Sequence, residues 1–238
     1  MIIVSAYYTI PSKKPKEFYY EHIRRFFRKL NWQKIIFFTD QENYESLKLF
    51  AGPNVQFVLQ EFDDLPVFQD FSQDIWKREI LVEHEKYHKL HTWQLGAIWA
   101  SKSYFVRRAS EVVNDEWFIW VDAGCVRTEE WNLDDFTRRN TFSEPGVYVQ
   151  LLSTLPSKEF FEFPDVFISG SHILFHRSFI QSYIESYSKT IIQYIENKYS
   201  IIMDQYIIAS MCKDSSFLKT VPYKISCPDR WFFMFYVI

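Results

Sequence analysis

Residues 117–127, Trp-Phe-Ile-Trp-Val-Asp-Ala-Gly-Cys-Val-Arg, constrain this chain more than any other stretch. Apolar and aromatic residues run without a break from Trp117 to Val121 and stop at Asp122, with small Ala123 and Gly124 beyond. A run this short, rich in β-branched and aromatic residues, reads as a strand buried on both faces, the pattern of a central parallel strand. Ligands of open α/β sheets bind just past the carboxyl ends of the strands. A buried carboxylate without a partner is costly. Asp122 therefore pairs with a metal ion, a sugar hydroxyl or a nearby base, or else caps the next turn. Gly124 leaves the backbone open to close approach.

The 238 residues suffice for one large domain with a full core, and with 47% hydrophobic and 20% aromatic residues a long disordered stretch is not expected. Glycine numbers only 5, and neither G-x-G-x-x-G nor G-x-x-x-x-G-K-[ST] occurs, which argues against a dinucleotide dehydrogenase or a P-loop NTPase. A net charge of −3 lacks the electrostatic footprint of nucleic-acid binding. Cys125, Cys212 and Cys227 are odd in number and widely spaced. They read as reduced thiols of a cytoplasmic protein without a zinc framework. Residues 1–6 read as a strand rather than a signal peptide, and no apolar run reaches the length of a membrane span.

In chain order, residues 2–6 form a short buried strand that opens into an aromatic loop at Tyr7 and Tyr8, a seat for a planar base or simply packed rings. A helix over 15–30 turns Phe18, His22, Ile23, Phe26, Phe27 and Leu30 to one face. A second strand ends at Asp40, which either bonds a nucleoside or caps the helix that follows. A short helix over 44–50 and a strand over 55–59 complete a β-α-β-α-β order, which implies a parallel sheet. Residues 61–89 show no clean period and read as loops and short helices covering a site; His84, His88 and His91 read as solvated or hydrogen-bonded rather than metal ligands. One long helix is expected over 92–113, with Lys102 set on or beside its apolar stripe, either snorkelling or meeting an anion. Further on come a strand over 146–152 and a strand over 165–176 broken at Gly170. A helix over 178–198 and a last helix with Asp204 and Gln205 in its first turn follow, then an aromatic tail expected to pack on the domain.

Trp120-Val121-Asp122-Ala123-Gly124 with downstream Arg127, Lys102 on the preceding helix and Asp204-Gln205 near the end resemble the HtrL/YibB-like family of glycosyltransferase-like proteins, over roughly residues 1–210. Similar proteins occur in bacterial surface-polysaccharide gene sets and in large DNA viruses. The resemblance implies a single GT-A-like α/β domain over residues 1–238, its mixed, mostly parallel sheet flanked by helices, with a nucleotide-binding half (1–125) and an acceptor-side half (126–238). It implies a nucleotide-sugar donor, UDP-linked in preference to GDP-linked, held by Ala6, Tyr7, Tyr8, Asp40, Lys102, Asp122, Ala123, Gly124 and Arg127. Ser169, Gly170, Ser171 and His172 would lie by the sugar and a glycan acceptor. Asp204, beside Gln205, would be the base of an inverting transfer. The family's metal signature is two aspartates one residue apart; here Asp122 is followed by Gly124 in the second place. A Mn²⁺ or Mg²⁺ ion would thus have Asp122 as its protein ligand, supplemented by diphosphate oxygens, or Lys102 and Arg127 would neutralise the leaving group instead.

Three other readings remain. The missing second aspartate suits a catalytically weak nucleotide-sugar-binding protein. A phosphohydrolase with Asp122 as nucleophile wants an acid two residues on, which Gly124 cannot supply. A structural protein would use its aromatic tail as a contact surface.

Overall fold

The computed structural model describes residues 1–11, 14–87, 90–127, 129, 142 and 144–223. Its centre is a seven-stranded sheet in the order β3-β2-β1-β4-β6-β5-β7. The strands are β1 (Ile2–Ala6), β2 (Ile35–Thr39), β3 (Val55–Leu59), β4 (Trp117–Val121), β5 (Val147–Leu151), β6 (Ile168–His176) and β7 (Leu218–Pro222). β1, β2, β3 and β4 pair in parallel, as do β5 and β7, while β6 runs antiparallel to both β4 and β5. This is the mixed, mostly parallel α/β sheet flanked by helices that the sequence leads one to expect.

Unbroken apolar runs form the central strands because both faces are covered. Successive side chains serve two cores: Ile2, Val4, Phe118 and Trp120 face one, Ile3, Ile119 and Val121 the other. The second core is closed by α1 (Lys16–Lys29), which buries Ile23, Phe26 and Phe27. Phe18, one turn earlier on the same helix, stays 41% exposed, so the apolar stripe is not buried along its full length. α2 (Gln41–Leu47) lies on this side, and Asp40 caps it by accepting from the Asn43 amide at 2.7 Å. The first core is closed by α6 (Lys102–Val112), α7 (Ile180–Glu196) and α8 (Asp204–Asp214). Between β3 and α6 lie α3 (Val67–Asp70), α4 (Gln73–Glu79) and short 3₁₀ turns, the mixture expected of residues 61–89.

Two expectations need correction. The single helix over 92–113 is two helices, α5 (Trp93–Ala100) and α6, joined at Ser101. The Ser101 hydroxyl donates to the Ala97 carbonyl at 2.7 Å, a back-bond of the kind that bends helices. The break at Gly170 does not interrupt β6, whose nine residues form one strand. It appears instead as a register jump on one side. Against β5, Val149 pairs with Ile173 but the next residue, Gln150, pairs with Ser169. Against β4, His172 pairs with Val121. Residues 170–172 thus bulge from β5, while His172 stays paired with β4.

No helix among the described residues is long and apolar enough to cross a membrane. Cys125 and Cys212 are free thiols. His88, Cys227, the acidic positions Glu130, Asp134 and Asp135 and the aromatic tail beyond Tyr223 lie outside the described residues.

Candidate functional site

Parallel β1 and β4 end side by side, and the chain turns away from each at its carboxyl end. A cleft of about 640 Å³ opens there. One wall comes from Tyr7, Tyr8, Pro11, Phe18, Tyr19 and His22, the floor from Trp120, Asp122, Ala123, Gly124 and Arg127, and the opposite wall from Leu90, His91, Leu95, Ile98 and Trp99. Of the residues singled out from sequence, Ala6, Tyr7, Tyr8, Asp122, Ala123, Gly124 and Arg127 meet at this one place.

Asp122 is held from behind. Its Oδ1 accepts from the Trp120 indole at 2.8 Å and lies 3.2 Å from the Lys102 ammonium, while 35% of its side chain stays exposed toward the cleft. Burial pushes its carboxyl above the usual carboxylate range; Lys102 and the indole pull the other way, and Asp204 adds to the rise. The Trp120 ring stacks at 5.7 Å on Phe105 of α6, which fixes the indole and with it the carboxylate.

Lys102 does not face the cleft. It is 3% exposed and its Nζ bonds Asp204 at 2.7 Å and the Gly170 carbonyl at 2.8 Å besides reaching Asp122. An ammonium has three N–H donors, and three acceptors already surround this one. Burial alone would lower its pKa, but Asp122 and Asp204 together hold it above the ordinary lysine value. Of the two expectations for Lys102, the structure shows the ammonium meeting anions, and they are the protein's own carboxylates.

Asp204 likewise faces away from the cleft. It is 5% exposed, does not line the cleft and is packed against Gly170, where an added Cβ would fall 2.8 Å from Oδ1 and closer still to Oδ2. A base must come within hydrogen-bond reach of the acceptor hydroxyl, and this carboxylate is turned inward onto Lys102. Gln205 beside it is half-buried and also off the cleft wall. Ser169, Ser171 and His172 are buried in β6, chained Ser169 Oγ to Ser171 Oγ at 2.7 Å and Ser171 Oγ to His172 Nδ1 at 3.1 Å, and none of them lines the cleft. Asp40 caps α2 and binds the Asn43 amide side chain with both oxygens, at 2.8 and 2.9 Å; it too is absent from the cleft wall.

Among the described residues no group of three or more His, Cys, Asp or Glu could hold a metal ion by itself. A cation at Asp122 would take its remaining ligands from diphosphate oxygens and water.

Sequence reasoning missed His22, Tyr19, His91, Leu95, Ile98 and Trp99. For His22 the signal was present, since Phe18 and Tyr19 lie four and three residues before it on one helix face. Its ring lies 4.4 Å from that of Phe18, and burial, then Arg25 and Arg127, hold its pKa below the ordinary value. For residues 90–99 no local signal distinguished a cleft wall from core.

No protein-family profile and no curated protein sequence matches the chain. Solved structures similar to it include a glycosyltransferase involved in the glycosylation of the major capsid of PBCV-1 (12% identity, TM-score 0.40, 94% of this chain and 80% of that one). A cytidylyltransferase from Leptospira borgpetersenii has 10% identity and a TM-score of 0.45, covering 94% of this chain and 75% of that one. CMP:2-keto-3-deoxy-manno-octonic acid synthetase complexed with CTP has 9% identity and a TM-score of 0.46, covering 93% and 89%.

Proposed function

We infer that this protein is a glycosyltransferase of the HtrL/YibB-like kind, moving a sugar from a nucleoside-diphosphate donor to a hydroxyl of a glycan or glycoprotein. The observation that carries this reading is the aromatic-walled cleft at the carboxyl ends of β1 and β4 with Asp122 in its floor. Its volume lies within the usual range of small-molecule sites, and its position is where open α/β sheets bind ligands. In this reading the base of the donor, uracil before guanine, lies against Tyr7, Tyr8 and Tyr19. The Arg127 guanidinium meets the diphosphate, whose negative charge grows as the bond to sugar breaks. The exposed oxygen of Asp122 accepts a donor hydroxyl. A Mn²⁺ or Mg²⁺ ion, if the donor brings one, would have Asp122 as its protein ligand and diphosphate oxygens as the others.

A second reading has an observation behind it. With Asp204 buried on Lys102, the base expected from sequence is out of reach, which suits a nucleotide-sugar-binding protein of weak or no catalysis. One experiment separates the two. The protein is melted with UDP, GDP, UDP-glucose and GDP-mannose, and release of free nucleoside diphosphate is followed over hours. A transferase shows a raised melting point and slow release from at least one donor, water replacing the acceptor. A raised melting point without release gives the binding protein. No shift with any nucleotide overturns both.

A further inference from the structure

The cleft wall opposite the tyrosines carries an imidazole backed by a carboxylate, and nothing in the donor-binding reading uses it. His91 lines the cleft, with its side chain 11% exposed. Its Nδ1 is buried without a hydrogen-bond partner and faces Oε2 of Glu83 at 3.9 Å. Glu83 is 3% exposed, and its carboxylate is pinned: Oε2 accepts from the Ser200 hydroxyl at 3.0 Å and Oε1 from the His84 amide at 3.1 Å. The imidazole is pinned as well. Tyr87 stacks on it at 4.7 Å, Trp99 meets it edge-on at 5.2 Å, and the His91 amide donates to the Tyr87 carbonyl at 2.8 Å. Nε2 lies on the side of the ring away from Nδ1, and the residue lines the cleft.

We propose that His91 is the general base of the transfer, oriented by Glu83 as a positioning residue. This rests on the glycosyltransferase reading. The acceptor oxygen attacks C1 of the donor sugar and the C1–O bond to phosphate breaks, its electron pair leaving with the nucleoside diphosphate. The acceptor proton passes to His91 Nε2 and then to solvent, and Glu83 balances the imidazolium that forms. The other titratable side chains of the cleft suit this task less well. Asp122 is tied on one oxygen to Lys102 and Trp120. His22 lines the cleft beside Tyr19, and burial together with the charges of Arg25 and Arg127 holds its pKa below the ordinary value.

The test is the release of nucleoside diphosphate from UDP-glucose and GDP-mannose by wild type, His91→Gln and Glu83→Gln, with melting points taken with and without UDP. General bases contribute about a hundredfold or more. The expected result is a loss of that size in His91→Gln, with its melting point and its UDP-induced shift kept. Glu83→Gln is followed by ¹⁵N–¹H long-range spectra of the imidazole. Wild type shows His91 with the proton on Nδ1, and Glu83→Gln moves it toward the Nε2 form. Turnover of a folded, UDP-binding His91→Gln within threefold of wild type overturns the assignment while leaving the transferase standing. An Nε2-protonated His91 in the wild type overturns the role of Glu83. Wild type that releases nothing from either donor overturns the assignment together with the reading beneath it.

Discussion

Asp122 and Asp204 are both aspartates at the end of a regular element, one closing a strand and one opening a helix, and both reach the same lysine ammonium. They differ in what lies on their other side. Asp122 has the cleft in front of it and keeps a third of its side chain exposed; Asp204 has Gly170 in front of it and keeps almost none. A carboxylate becomes available to a ligand through the face it leaves open, not through its place in an element. The first belongs to the cleft, the second to the support beneath it.

The sharpest way to break this contrast is Lys102→Met, which leaves two buried or half-buried carboxylates without their cation. Loss of one partner of a buried pair costs about 3–5 kcal/mol, and the variant should show a loss of this size in urea denaturation at pH 7. The ammonium's folded pKa is raised. Its contribution is therefore complete below the ordinary lysine pKa and is lost only as pH rises through the raised value. The deficit of Lys102→Met should accordingly be undiminished from neutral pH to about pH 9, taking an ordinary lysine value of about 10.4. A deficit below about 1 kcal/mol would mean that the three groups do not form the linked unit described.

Smaller is the effect of Gly170→Ala. The added Cβ meets both oxygens of Asp204, and overpacking of this kind costs about 1–3 kcal/mol. Pairing it with Asp204→Ala should recover much of the loss; if the two losses simply add, the close approach at Gly170 is not what makes the glycine necessary.

Least for stability, and most telling for function, is Asp122→Asn. The amide keeps the shape and can still accept from Trp120, so the melting point should move by only a few degrees. Turnover, or affinity for the donor, should fall about 10- to 100-fold, the worth of a hydrogen bond to a charged group. Equal losses of stability in Asp122→Asn and Asp204→Asn would erase the distinction between cleft and support.

Much of the fold was legible before any coordinates. β1, β2 and β4 announce themselves as short apolar runs because a strand covered on both faces needs no polar side. α1 and α7 announce themselves by period. The floor of the cleft was legible for the same reason, since Asp122 interrupts an apolar run where a sheet's strands end. What escaped was whatever depends on two distant segments meeting. The helix over 92–113 was read as one because a serine back-bond leaves little trace in periodicity. Gly170 was rightly marked as a place of close approach, but what approaches is Asp204, 34 positions away in the chain, rather than a ligand.

Local pattern and local chemistry in the chain specified the strands β1 to β4, the burial of β1, β2 and β4 on both faces and the carboxylate at the end of β4, but not β7, which lay in what read as a packed tail, nor the split of the helix over 92–113. The packing of distant segments is what turns Lys102 inward, makes Asp204 its counterion and brings His91 into one cleft with Asp122. Burial and pairing are set by which remote groups pack together, and a charge's role follows from the side on which water or a ligand can still reach it.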